Sequence, residues 1–129
     1  MPTQVIWDNP EKTIIRHVYI GNATVTDYMA VAQLSAAMLN TVPYPVDIII
    51  TLINVHANSD GFLRGAHYAN KIIPKNQRLV VMVNADVHMR GLVNMVAKFT
   101  PKLSEQTHFV NTLDEAYQLI RQKGGSVRA

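Results

Sequence analysis

The stretch from Val46 to Leu52 reads Val-Asp-Ile-Ile-Ile-Thr-Leu, an almost unbroken aliphatic run. A strand with one face in water alternates apolar and polar residues. A run without that alternation is expected of a strand covered on both faces, as in the interior of a parallel sheet. Parallel strands need crossover connections, and crossovers are commonly helices. At 129 residues the chain can bury one such core and is too short for two. One α/β domain is therefore expected, with Val46 to Leu52 at its centre.

The flanking segments fit that frame. Val5 to Trp7 and Thr13 to Ile20 are rich in β-branched residues, and Asp8-Asn9-Pro10-Glu11-Lys12 between them is turn chemistry, so they predict an antiparallel hairpin. Thr24 with Asp27 forms a capping-box start for a helix from about Val25 to Asn40, stopped by Val42-Pro43-Tyr44-Pro45. Phe62 to Ile72 predicts a second helix ended by Pro74, and Leu79 to Val83 another buried strand. A third helix is expected from Asp86 to about Phe99, with Met89, Leu92, Val93, Val96 and Phe99 on its apolar side and Thr100-Pro101 closing it. His108 to Val110 is a short last strand. Thr112 with Glu115 repeats the capping box ahead of a last helical stripe of Leu113, Ala116, Tyr117 and Ile120.

The predicted fold is thus α/β: a mixed five-stranded sheet with an N-terminal antiparallel hairpin, parallel strands thereafter, and about four helices. Residues 1–124 form the domain, and Gly124-Gly125 ends the final helix to leave 125–129 as a flexible tail.

Composition removes several function classes. The chain has no cysteine, which excludes disulfides, thiol catalysis and thiolate metal sites. No apolar run approaches the roughly 20 residues that cross a bilayer, and the amino terminus lacks the features of a secretory signal. A cytoplasmic protein without membrane insertion is expected. The net charge of +3 does not signal nucleic-acid binding, because Lys71, Lys75, Arg78, Lys98, Lys102, Arg121 and Lys123 fall at predicted helix ends, where cations offset exposed carbonyls. No aromatic residues interleave with a basic run.

In an open α/β sheet, ligands gather where the carboxyl ends of parallel strands meet the following helices. The sequence puts Asn54, His56, Asn58, Ser59 and Asp60 at that edge after the central strand, and Asn84, Asp86 and His88 after the next. Asn111 and Thr112 follow the last strand. These residue types also cap helices and form turns. The polar crevice they outline is the expected site for a protein partner or a small anionic ligand, held at helix amino ends. His17, His56, His67, His88 and His108 lack metal-ligand spacing, so no metal is expected. No nucleophile elbow, dinucleotide fingerprint or P-loop is present. Ser35, mid-helix among alanines, and Ser104 have no evident base. No catalytic residue and no cofactor are assigned.

The element order and the segment Asn58-Ser59-Asp60-Gly61 resemble STAS domains, the fold of the bacterial anti-sigma-factor antagonists. In that family the corresponding loop resembles Asp-Ser-Ser-Gly and carries a serine phosphorylated by a partner kinase. Here Asn58 stands for the acidic residue and Asp60 for the second serine, leaving Ser59 as the candidate phosphoacceptor. The opening Trp7-Asp8-Asn9-Pro10-Glu11-Lys12-Thr13 and the closing Phe109-Val110-Asn111-Thr112-Leu113-Asp114-Glu115-Ala116-Tyr117 are similar to stand-alone bacterial STAS-like proteins. The resemblance implies a regulatory or interaction module.

The first helix carries two apolar stripes. Val25, Tyr28, Met29, Ala32, Ala36 and Leu39 make one; Val31, Leu34 and Met38 make another, and no charge falls between Asp27 and Asp47. The second stripe is the expected homodimer interface. Function narrows to a non-catalytic interaction module binding at the Ser59 loop. One alternative is a lipid or apolar-metabolite binder, whose six methionines would line an adaptable pocket. The other is an enzyme using His56, Asp60 or His88 as acid or base.

Overall fold

The opening turn shows how local chemistry sets the register of the sheet. The computed structural model describes residues 3–126. In it β1 (Thr3–Trp7) pairs antiparallel with β2 (Ile14–Ile20). Between them the Asn9 side chain accepts the Thr13 amide at 2.9 Å and donates to its hydroxyl at 2.6 Å, while Lys12 takes a positive φ of 59°. From β2 the chain runs through α1 (Val25–Leu39), β3 (Val46–Ile53), α2 (Ser59–Ile72), β4 (Gln77–Val83), α3 (Val87–Ala97), α4 (Pro101–Gln106), β5 (Thr107–Val110) and α5 (Leu113–Gln122). The five strands lie in sequence order, with β2 through β5 parallel.

Sequential order has a geometric consequence. Each right-handed crossover steps one strand in the same direction, so α1, α2 and α3 share one face of the sheet. Their residues Tyr28, Val31, Met89 and Val93 pack with Tyr19, Leu52 and Met82 of β2, β3 and β4. On the opposite face Ala116 and Ile120 of α5 pack on Ile14, Ile49 and Val81. β3 is thus covered on both sides, as its aliphatic run predicts.

Asp47, the charged residue in that run, is buried for a structural reason. The pairing of β3 with β4 shifts register between Val46 and Ile48. The Asp47 carboxylate accepts the Leu79 amide at 3.1 Å beside that irregularity, satisfying a buried donor. Arg78 supplies the counter-charge from two guanidinium nitrogens, each 2.8 Å from an Asp47 oxygen. The same guanidinium donates to the Lys123 carbonyl at 2.7 Å, fastening the end of α5 to the sheet.

The contacts continue into the first two residues past Gly124. Gly125 donates its amide to the Ile120 carbonyl, and Ser126 accepts from the Thr13 hydroxyl at 2.8 Å. A Cβ on Gly125 would run into Arg78, Ile120 and Asp47, so only glycine fits. Residues 127–129 of the expected tail lie outside the described residues. The helix count also grows by one: Pro101 does not merely stop α3 but occupies the first turn of α4, a position suited to a residue without an amide hydrogen.

Helix α1 faces the sheet differently from expectation. Val31 is 4% exposed and belongs to the core, whereas Leu34 is 55% exposed and Met38 packs partly on the core. Val31, Leu34 and Met38 therefore do not share an outward face, and Val31 is removed from the expected interface. Tyr28, Val31, Ser35 and Leu39 form the buried row instead. Phe99, expected on the apolar side of α3, lies beyond the helix end and is 85% exposed.

Helices α1 and α2 meet closely at Gly65, where an added Cβ would lie 2.5 Å from the Tyr28 Cβ. Alanine gains up to about 1 kcal/mol of helix propensity over glycine, but a clash with an atom next to the backbone costs about 1–3 kcal/mol. Gly65→Ala should therefore lower stability by roughly 1 kcal/mol in urea titration. Unchanged or raised stability would show that the helices can part at no cost.

Candidate functional site

At the carboxyl edge of the sheet, most of the predicted polar residues are occupied in local structure. Asn54 and Asn84 follow β3 and β4 with φ of 51° and 68°, the left-handed region that asparagine tolerates better than most residues. The Asn84 side chain also donates to the Leu52 carbonyl at 3.0 Å. Asn58 caps α2 by accepting the Gly61 amide at 2.9 Å, and Asp86 caps α3 by accepting the Met89 amide at 2.7 Å. Asp60 faces Arg64 one turn along at 3.7 Å, both exposed. Among the described residues Ser59 Oγ and His88 Nε2 link the two loops, 3.4 Å apart and exposed. His56 is exposed. No group of three or more His, Cys, Asp or Glu side chains with metal-site geometry occurs among the described residues.

An apolar concavity lies elsewhere, between the sheet and the helices on its first face. It is a partly open cavity of about 160 Å³ with an almost wholly apolar wall. Its origin is visible in the residue sizes. Where α1 and α2 turn toward the sheet they present Ala32, Ser35 and Ala36, and Gly65, Ala66 and Ala69. Apart from Ser35, which meets the His17 ring of β2, these side chains are short, and the close Gly65–Tyr28 contact holds the two helices against each other. Accordingly the core on this face divides. Tyr19, Tyr28, Leu52 and Met82 cluster toward one end, and Ile15, Leu39, Ile48 and Val80 toward the other. Members of both clusters line the space between.

Few polar groups reach the wall, and they are distinctive. The His17 imidazole on β2 lies 3.0 Å from the Ser35 hydroxyl on α1, both buried. Burial alone pulls the His17 pKa down to about 4, so the ring is neutral at pH 7. The hydroxyls of Tyr28 and Thr107, also wall residues, are buried and make no hydrogen bond among the described residues. Tyr28 is 8% exposed, and burial, reinforced by Asp27, raises its pKa. Tyr28 is held edge-on to Phe62 and tilted against Tyr19 at centroid separations of 5.6 and 5.5 Å.

Ser35 therefore has a histidine partner with no signature in the sequence, since the two stand 18 positions apart. Among the described residues no carboxylate is hydrogen-bonded to the His17 ring, whose side-chain partner is Ser35. Tyr28 and Thr107 were also outside the predicted site. A second polar cluster lies on the opposite face, where the Tyr117 hydroxyl donates to both Asp8 oxygens at 2.8 and 2.9 Å. Burial and that bond push the Tyr117 pKa up to about 12. This contact ties the hairpin turn to α5.

No family model matches the chain, and no curated protein sequence matches it.

The His17 pKa gives a signed pH dependence. The folded value lies below the ordinary 6.5, so the unfolded chain takes up the proton first as pH falls. The stability attached to the neutral ring is whole above about 6.5 and drains away toward about 4. Urea titrations at pH 7.5 and 4.5 should show wild type losing on the order of 2 kcal/mol more than His17→Gln. Equal losses in both proteins would place the acid sensitivity elsewhere.

Proposed function

We propose that this chain is a non-catalytic binding module that takes a small apolar ligand, about the size of one aromatic ring, into the cavity between the helices and the sheet. The cavity itself is the observation that carries the reading. Enclosed empty space costs about 24 cal/mol per Å³, so 160 Å³ weakens the fold by at most about 4 kcal/mol, and by less where the cavity opens to water. The upper figure is a large share of the roughly 5–15 kcal/mol that holds a domain together. A ligand that fills the space recovers much of it. The volume matches engineered apolar cavities of about 150 Å³ that take up benzene, and it is too small for a whole acyl chain.

The wall refines the ligand class. The two buried hydroxyls, without a partner among the described residues, each leave about 1–3 kcal/mol of lost solvation uncompensated. A ring with one polar substituent, phenolic or indolic, would satisfy one of them. The loop holding Ser59 supports recognition less strongly, because Asn54, Asn58 and Asn84 already serve as turn and cap residues. The sequential strand order and the antiparallel first pair support a STAS-like ancestry for the scaffold.

Thermal denaturation with benzene and with phenol tests the reading. Both should raise the melting temperature of wild type, and Ala66→Leu, which fills the space, should abolish the shift while keeping or raising intrinsic stability. Tyr28→Phe should weaken phenol about fivefold, the value of one hydrogen bond, and leave benzene unchanged. No shift with either compound at saturating concentration would refute the proposal.

A further inference from the structure

We propose that the outer side of α3 and the joint between α3 and α4 rest on an anionic lipid surface. The proposal is independent of the cavity and begins from side chains that the fold leaves outside. Val87, Gly91 and Met95 follow one another on α3 at four-residue intervals, a spacing that makes neighbours on a helix surface, and Phe99 stands just past the helix end. Val87 is 88% exposed, Met95 48% and Phe99 85%. Nothing lies within 4 Å of the position a Cβ would take on Gly91. α3 does not need these residues for its own packing, since Met89, Leu92 and Val93 supply its buried face.

The charge around the stripe is one-sided. Between Asp86 and Glu105 the chain has no acidic residue, while Arg90, Lys98 and Lys102 fall there. Arg90 is engaged, donating to the Ala85 carbonyl at 3.0 Å with its guanidinium 5.2 Å from the Phe109 ring centre. Lys98 and Lys102 are exposed and make no ion pair among the described residues. Asn70 donates to the Thr100 hydroxyl at 3.3 Å, bringing the end of α2 alongside the joint with exposed Lys71 and, just beyond, Lys75. Against these lysines the joint sets only Glu105.

Apolar side chains standing out beside ammonium groups suit one kind of surface. A bilayer takes aliphatic and aromatic groups at its acyl boundary and pairs lysines with headgroup phosphates, and it needs no preformed groove. A second copy docked across a two-fold axis would set Lys98 and Lys102 near their own counterparts. A protein interface core is depleted in lysine. A nucleic acid would use the lysines but leave Val87 and Met95 in water.

Co-sedimentation with vesicles decides it, using phosphatidylcholine alone and an equal mixture with phosphatidylglycerol. The protein should pellet with the mixture and stay in solution with phosphatidylcholine, and added salt should release it. Lys98→Gln with Lys102→Gln should weaken binding by about twentyfold or more, roughly fivefold for each lysine. Phe99→Ser with Met95→Ser should weaken it at least about tenfold. All four side chains are exposed, so these variants should melt with wild type. If one pair does not, the single Phe99→Ser substitution carries the same test. Binding that ignores lipid charge, binding that survives Phe99→Ser, or no binding to either vesicle would overturn the proposal. So would light scattering that shows self-association lost with Phe99→Ser in protein that ignores vesicles.

Discussion

The contact between Gly65 of α2 and Tyr28 of α1 governs the helical layer. Because glycine allows the two helices to touch, they act as one slab laid over β2, β3 and β4. A slab cannot let either helix settle separately onto the sheet. Its alanines are short, Ser35 alone among the small residues bonds to a strand side chain, and larger residues pack at both ends of the gap. Interiors are normally packed to crystal density, so a void of this size in a small domain calls for an account. The proposed occupancy by a ligand would supply one, and would account for the few, incompletely paired polar groups along the wall.

Electrostatics divides the molecule in the same way. On the α5 face the charges lie beside opposite or polar partners: Asp47 with Arg78 and the Leu79 amide, and Asp8 with the Tyr117 hydroxyl and, at 3.8 Å, with Arg16, whose buried Nε makes no hydrogen bond among the described residues. These contacts close the chain onto itself. On the cavity face the titratable groups are held neutral by burial, His17 by a lowered pKa and Tyr28 by a raised one. A neutral wall with spare hydroxyls favours neutral guests over ions, in contrast to the anionic ligand expected at the strand edge.

Much of the fold could be read in the sequence, because it rests on local signals. The aliphatic run of β3, the proline stops and the capping boxes at Thr24 and Thr112 each declare their element within a few residues. α4 was hidden because Pro101 is equally good at ending one helix and starting another. The site was far less legible. Asparagine after β3 and β4 drew attention as a candidate binding group, yet its position follows from left-handed backbone. The His17–Ser35 pair depends on the crossover that lays α1 over β2. The cavity depends on which small residues face the sheet, and helical periodicity cannot tell a short side chain beside a void from one in close contact. The same ambiguity put Val31 on the wrong side of α1.

Xenon binds apolar cavities through dispersion alone and needs no guess about the natural ligand. Crystals of the protein under xenon pressure should show a strong density peak enclosed by Ala36, Ala66 and Val80. A dry, collapsed interface there, with the α1 and α2 alanines in contact with the strands and xenon bound only elsewhere or not at all, would contradict the claim that this domain is built around a space to be filled.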